Sequence, residues 1–180
     1  MALAPAIIAV VLVLALVAAI WDLRTRRIPN WLVLTGLIAG FGLNGVLSGL
    51  AGLEAALIGM LTGFGIYLAL YLLHAMGAGD VKFMAAVGSL VGWRWWFHIF
   101  FVAVIVGAAA GLMLALAKGR LRRTFANMGY IVSEIAHFRP PHVRREDVDV
   151  KSEKALRMPH GAAIAAGIFI VIGWAWLERS

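Results

Sequence analysis

The strongest constraint in this sequence is a series of apolar runs, each close to the length that crosses a lipid bilayer. The first run, residues 3–21, contains no charged side chain and would be about 28 Å long as a helix, against a hydrocarbon core of about 30 Å. Hydrophobic residues make up 63% of the 180 residues and charged residues only 14%, too few to cover the surface of a soluble domain. The sequence therefore predicts an all-α, polytopic integral membrane protein.

About six transmembrane helices fit the pattern of runs and turns. We predict them over residues 3–21, 30–47, 53–76, 81–91, 95–117 and 161–177. The fourth is short because Gly92 and the Trp-rich residues 93–96 are typical of a membrane interface. A single span over residues 83–106 is the alternative, and it would move the C-terminus to the opposite side of the membrane.

The basic residues predict the orientation of these helices. No positive charge precedes the first run, three Arg residues follow it at positions 24, 26 and 27, and ten of the sixteen Lys and Arg residues lie in residues 118–157. A cleaved secretory signal has its positive charge first, so we expect a retained span. Since Lys and Arg accumulate on the cytoplasmic side, the N-terminus is predicted to lie outside.

Residues 118–157 form the one long polar segment. Its apolar side chains recur at helical spacing, which predicts an amphipathic helix on the inner membrane surface. These side chains are Phe125, Met128, Ile131, Val132 and Ile135. We expect the basic charge of this loop to attract anionic lipids rather than nucleic acid. The segment could serve as a solvated loop that fixes the topology, and a specific partner site is the alternative.

Two carboxylates stand out because ionisable groups near membrane depth are costly. Asp22 ends the first predicted helix and Asp80 precedes the fourth, so both lie on the cytoplasmic side. Asp80 could simply cap its helix, and Asp22 could pair with Arg26 one turn later. Capping leaves the flanking Gly77 and Gly79 unexplained, since two glycines give an unusually permissive backbone at a helix end.

Two carboxyl groups brought close together cannot both ionise easily, so one keeps its proton while the other is charged. The charged group can take a proton from water as the water attacks a peptide carbonyl, and the protonated group can donate to the carbonyl oxygen. We expect no metal and no cofactor in this chemistry. A small proton- or cation-coupled transporter is the alternative, and a non-catalytic scaffold is a third.

Other catalytic signatures are missing from the sequence. It contains no HExxH, GxSxG or GxxxxGK[ST] motif. The chain has no Cys, and its five His residues are scattered without metal-ligand spacing. His74, near the inner end of the third predicted helix, is the one His that we retain as a candidate, with a packing role as the default.

Glycine pairs four residues apart recur along the chain and permit helices to approach closely. They are Gly36 and Gly40, Gly45 and Gly49, Gly59 and Gly63, and Gly107 and Gly111. Packing within the chain is the simpler use of these pairs, and a homodimer is the other.

Three segments resemble a known family. The segment DLRTRRIPN at residues 22–30 and the segment GAGDVK at residues 77–82 resemble the two signatures of the type IV prepilin peptidases, membrane aspartyl proteases of the GxGD class. The segment MPHGAAIAAG at residues 158–167 is similar to the entry into the family's last helix. By motif match, the resemblance implies that Asp22 and Asp80 are catalytic. The supporting motif residues are Pro29, Asn30, Gly77, Gly79 and Lys82.

The resemblance also implies a substrate, a place and a domain organisation. Such peptidases remove the short basic leader of a type IV prepilin at the cytoplasmic face of the bacterial inner membrane. Larger bifunctional members carry a Cys-based zinc domain between their first helices, linked to N-methylation. Here a few residues join those helices and Cys is absent, so we expect one membrane-embedded peptidase domain over residues 1–180, similar to the short enzymes of tight-adherence (Flp) pilus systems.

Overall fold

The computed structural model describes residues 3–73, 76–119 and 160–177. Within these residues the chain forms four helices: α1 (Pro5–Thr25), α2 (Asn30–Leu72), α3 (Ala78–Ala117) and α4 (His160–Leu177). All four are long and apolar enough to cross a membrane, by length and composition. Large apolar side chains are exposed along each helix, as expected for helices whose outer surface faces lipid. The predicted all-α protein with membrane-spanning helices is confirmed in this part of the chain.

Helix α2 reverses direction at Gly49. This residue has a φ of 59° and a ψ of −137°, a conformation that glycine adopts without the steric cost of a side chain. A Cβ added at Gly52 would contact the main-chain oxygen of Asn44, although eight residues of straight helix span about 12 Å. The predicted turn over residues 48–52 is therefore too long, because Gly49 alone leaves the helical conformation and reverses the chain.

Helix α3 reverses in the same way at Gly92, where φ is 73° and ψ is 167°. The Trp96 side chain donates its Nε1–H to the Met84 carbonyl at 3.1 Å, whereas twelve residues of straight helix would span about 18 Å. The predicted end of a short helix before Gly92 agrees with this reversal, which disfavours one straight span over residues 83–106.

Two predicted helix boundaries near the GAGD segment are wrong. The helix predicted over residues 53–76 ends at Leu72, and the helix predicted to begin at residue 81 begins at Ala78. Gly77 takes an extended conformation just before α3, and its N–H is bonded to the Asp80 side chain. The helix can therefore start three residues earlier than the glycines suggested, since Asp80 stabilises its first turn instead of preceding it.

The first part of α3, residues 78–91, is the central helix of the fold. From Asp80 to Val91 every residue except Lys82 is buried. Two of the predicted glycine pairs pack against this segment, one from each half of α2. A Cβ on Gly36 would lie 3.0 Å from the Ala86 Cβ, and one on Gly40 would overlap Ser89.

The second glycine pair lies in the returning half of α2. Added Cβ atoms on Gly59 and Gly63 would contact the main-chain oxygens of Gly88 and Met84, respectively. These glycines let the helix backbones approach closely, so the use of both pairs within the chain is observed. A homodimer stays a prediction.

Asn44 supports the reversal at Gly92 from outside helix α3. Its Nδ2 group donates to the carbonyl oxygens of Ser89 and Leu90 at 3.0 and 3.1 Å. Carbonyl groups in the last turn before a break lose their intrahelical partners, and an unpaired carbonyl is costly away from water. Asn44 therefore supplies hydrogen bonds that the interrupted helix cannot make.

Helices α1 and α4 complete the fold. Gly167 of α4 packs against Ala103 of α3, where an added Cβ would lie 2.9 Å from the Ala103 Cβ. The predicted sixth helix, residues 161–177, is confirmed with a start at His160. Residues 120–157, which carry most of the predicted basic loop and its amphipathic helix, lie outside the described residues.

The close packing of α2 on α3 gives a matched test of two glycines on one helix. Gly63→Ala would place a Cβ against the Met84 main chain, whereas Gly65→Ala would meet no atom within 4 Å. Both changes bring the same gain in helix propensity, but overpacking costs about 1–3 kcal/mol. We expect Gly63→Ala to lower the thermal unfolding temperature in detergent and Gly65→Ala to keep or raise it. Equal effects would contradict the packing described here.

Candidate active site

Asp22 lies in the last turn of α1, and its side chain is buried. A carboxylate at a helix C-terminus faces the negative end of the helix dipole, so the position needs compensation from another part of the chain. Helix α4 provides it, because the Ala162 N–H in its first turn donates to Asp22 Oδ2 at 3.3 Å. The negative charge at the end of one helix thus meets the positive end of another.

Gly161 makes this contact sterically possible. A Cβ at that position would lie 3.0 Å from Asp22 Oδ2 and 3.1 Å from Asp22 Cγ. The start of α4 can therefore approach the carboxyl group closely only because Gly161 has no side chain.

Asp80 lies in the first turn of α3, and its side chain is also buried. Its Oδ2 accepts a hydrogen bond from the Gly77 N–H at 3.2 Å. The carboxylate is therefore placed at the positive end of its own helix. Capping is one role of Asp80, as the sequence suggested, and it uses one of the two carboxyl oxygens.

The linker between α1 and α2 connects the two aspartate segments. Ile28 in this linker is buried, and a Cβ on Gly79 would lie 3.5 Å from the Ile28 nitrogen and Cβ. One turn into α3, Lys82 donates from Nζ to Asn30 Oδ1 at 3.1 Å. The segments of residues 22–30 and 77–82 therefore contact each other at two points.

Asp22 and Asp80 are both buried, and the two contacts just described hold the segments that carry them together. Asp22 also contacts the start of α4, so the three segments singled out in the sequence converge at one end of the helices. Among the predicted supporting residues, Gly77, Gly79, Lys82 and Asn30 take part in the contacts described above. Pro29 is the N-cap of α2, and its carbonyl accepts the N–H groups of Leu32 and Val33.

Two residues near the carboxyls were missed by sequence reasoning. His160 is partly buried at the start of α4, and its ring interacts electrostatically with Asp22. Metal-ligand spacing in the sequence gave no reason to select His160. Its position in the MPHG segment, which resembles a family motif, could have indicated a place near the site. Tyr67 is fully buried in α2 and interacts electrostatically with Asp80. In the sequence it is one aromatic residue inside a long apolar run.

The retained candidate His74 lies outside the described residues. Within the described ranges no group of three or more His, Asp or Glu side chains is arranged to hold a metal ion.

Comparison with known proteins identifies the class of protein that this site defines. The profile of the type IV leader peptidase family matches residues 9–112, which is more than half of the chain. The chain therefore belongs to the type IV leader peptidase family. The matched region includes Asp22, Asp80 and the helices that hold them, and it ends before α4.

Individual relatives agree with this assignment. The chain is 34% identical to a prepilin leader peptidase/N-methyltransferase of Burkholderia pseudomallei over 108 residues, 56% of this chain and 34% of that relative. It is 34% identical to proteins of the same description from Pectobacterium carotovorum, over 120 residues, and from Aeromonas hydrophila, over 104 residues. These matches cover 60% and 54% of this chain, and 39% and 36% of the two relatives. The match thus spans little more than a third of each relative. No solved structure matches the chain.

Proposed function

We propose that this protein is a membrane aspartyl endopeptidase that removes the leader peptide of type IV prepilins, with Asp22 and Asp80 as its catalytic pair. The observation that carries the proposal is the convergence of the two carboxylates. They lie 58 positions apart in the sequence and are both buried, and their segments contact each other through Gly79 and Ile28 and through Lys82 and Asn30. Family membership supports the class of reaction, and the names of the relatives support the prepilin substrate.

The chemistry needs one ionised and one protonated carboxyl group. The ionised group takes a proton from water while the water oxygen bonds to the scissile carbonyl carbon, and the protonated group gives its proton to the carbonyl oxygen. When the tetrahedral intermediate collapses, the C–N bond breaks. The departing amine takes the proton that came from water, and the proton on the carbonyl oxygen returns to the second carboxyl group. The peptide and one water become a carboxylic acid and an amine, and the pair regains its starting state.

We further propose that the protein has peptidase activity without N-methylation, as in short Flp-type enzymes. The relatives carry both activities in their names, and the match covers about a third of their length. In this chain four residues, 26–29, join α1 to α2, and no Cys is present for a thiolate zinc site. The linker is therefore too short to hold a zinc domain at this position.

Substrate recognition is proposed to be lateral and apolar. A basic leader gains nothing from a strongly basic cytoplasmic face by simple electrostatics, and the chain carries a net charge of +7. Large apolar side chains are exposed along the helices. We therefore propose that the apolar helix of the pilin packs against these surfaces while its leader reaches the two aspartates.

The proposed topology has six crossings, an outer N-terminus and the two aspartates on the cytoplasmic side of the bacterial inner membrane. The reversals at Gly49 and Gly92 support six passages, since each divides a long helix into two antiparallel parts. The concentration of Lys and Arg near the ends of α1 and α3 supports the orientation.

Removal of either carboxylate should abolish cleavage. Asp22→Asn and Asp80→Asn each delete one acid or base while keeping the shape of the side chain, so we expect the rate to fall by about 10²- to 10⁴-fold. The measurement is a mass spectrum of a full-length Flp-type prepilin after incubation with the purified protein in detergent and in lipid. Glu54→Gln is the matched control, because Glu54 is an exposed carboxylate of α2 and should be dispensable.

Thermal unfolding of each variant separates loss of chemistry from loss of fold. A fully active Asp22→Asn or Asp80→Asn variant would remove that residue from the mechanism. If the parent protein left a partner prepilin intact in lipid as well as in detergent, the peptidase proposal would be rejected, and proton flux into liposomes would test the transporter alternative.

The orientation can be tested with single cysteines, because the natural chain has none. Ser48 and Arg27 are both exposed, and the proposed topology puts them on opposite sides of the membrane. Ser48→Cys should react with a membrane-impermeant maleimide in intact spheroplasts, and Arg27→Cys should react only after the membrane is opened. The opposite pattern would reverse the proposed orientation.

A further inference from the structure

The Tyr67 hydroxyl is the one buried side-chain polar group among the described residues that lacks a hydrogen-bond partner. The whole side chain is inaccessible to solvent. Buried Tyr hydroxyls normally find a partner, because an unpaired polar group is costly in an apolar environment. This hydroxyl therefore needs an explanation beyond packing.

The aromatic ring itself is well packed. Its centroid lies 6.1 Å from that of Trp96 and 6.0 Å from that of Phe100, both in edge-to-face geometry. A Phe at this position would keep both contacts, so ring packing does not account for the oxygen.

The register of α2 against α3 puts Tyr67 opposite Asp80. Gly59 contacts Gly88, and Gly63 contacts Met84. Each step of four residues forward along α2 therefore matches a step of four residues back along α3. The next pair in this antiparallel register is Tyr67 and Asp80, and their electrostatic interaction agrees with that placement.

Asp80 can accept a further hydrogen bond. Its Oδ2 accepts the Gly77 N–H, and a carboxyl group has lone pairs on both oxygens for further hydrogen bonds. A donor without an acceptor and an acceptor with spare capacity thus occupy facing positions on two packed helices. In the part of the chain that the structure describes, the two groups are not in hydrogen-bond contact, and no water-sized space adjoins the hydroxyl. A bond between them is therefore direct, and it forms when the Asp80 carboxyl turns toward Tyr67, since hydrogen bonds of a catalytic site often tighten only when substrate binds.

We propose that Tyr67 is a positioning residue for Asp80, with its hydroxyl donating a hydrogen bond directly to the Asp80 carboxyl in the working enzyme. This inference rests on the proposed function, in which Asp80 is one of the two catalytic carboxylates. The link fixes the orientation of the carboxyl group and favours its charged form, because a hydrogen bond donated to a carboxylate stabilises it. Tyr67 does not reach the surface, so it acts through Asp80 and not on the prepilin.

Tyr67→Phe removes the oxygen and keeps the ring. We expect kcat for prepilin cleavage to fall roughly tenfold to hundredfold, the usual range for losing a hydrogen bond to a charged group. KM should stay unchanged because Tyr67 is buried away from the substrate. The unfolding temperature should stay the same or rise. Thr62→Val is the matched control, since it removes a hydroxyl of the same helix that bonds only to the Ile58 carbonyl.

A second measurement does not depend on cleavage. A hydrophobic carbodiimide modifies protonated carboxyl groups at membrane depth, and mass spectrometry of digested protein reports the modification at each Asp. Losing the Tyr67 link should raise the labelling rate of Asp80 by roughly threefold to tenfold, with a smaller change at Asp22. The Thr62→Val protein should label like the parent.

The outcomes separate this inference from the proposed function. Faster labelling of Asp80 in Tyr67→Phe, together with a parent protein that cleaves no prepilin, would support the link and reject the peptidase proposal. Unchanged labelling in an active enzyme would overturn the link and leave the peptidase in place. Loss of folding in Tyr67→Phe would also overturn it, since that result would give the hydroxyl a structural partner.

Discussion

Both candidate catalytic carboxylates accept main-chain N–H groups at helix N-termini. Asp80 is bonded to Gly77 at the start of its own helix, and Asp22 is bonded to Ala162 at the start of α4. Buried charge in a membrane protein is costly, and the positive end of a helix is a compensation that needs no basic side chain. The requirement to place two helix starts beside two carboxylates constrains how α1, α3 and α4 can be arranged.

Glycine makes this arrangement possible in a short chain. Gly49 and Gly92 each reverse the direction of a helix with one residue. Gly59 and Gly63 have no side chain, so the returning part of α2 can pack directly on the backbone of α3. The same close packing sets the register that places Tyr67 opposite Asp80. Fold and site are therefore linked, because side chains added at the packing glycines would also displace the aspartate end of α3.

Much of the helical fold could be predicted from the sequence, and the two candidate aspartates could be singled out, because apolar length and isolated charge are local properties. The start of α3 was misplaced because the bond from Gly77 to Asp80 extends the helix through residues that are poor helix formers alone. The contact of Asp22 with α4 spans 140 positions of sequence, and no local pattern reports it. His160 and Tyr67 were missed for the same reason, since their importance comes from neighbours that only the packed chain provides.

The most direct test of this account is a distance measurement between Asp22 and Asp80. Asp22→Cys and Asp80→Cys can be combined without background, because the natural chain lacks Cys, and a short thiol-specific crosslinker then reports their proximity in native membranes. The account predicts rapid intramolecular crosslinking of this pair. It predicts no crosslinking for Asp22→Cys combined with Glu54→Cys. Tyr67 is the residue of α2 that lies opposite Asp80, and Glu54 lies about 20 Å along the helix from Tyr67. Crosslinking of the Asp22–Glu54 pair without crosslinking of the Asp22–Asp80 pair would contradict the convergence of the two aspartates.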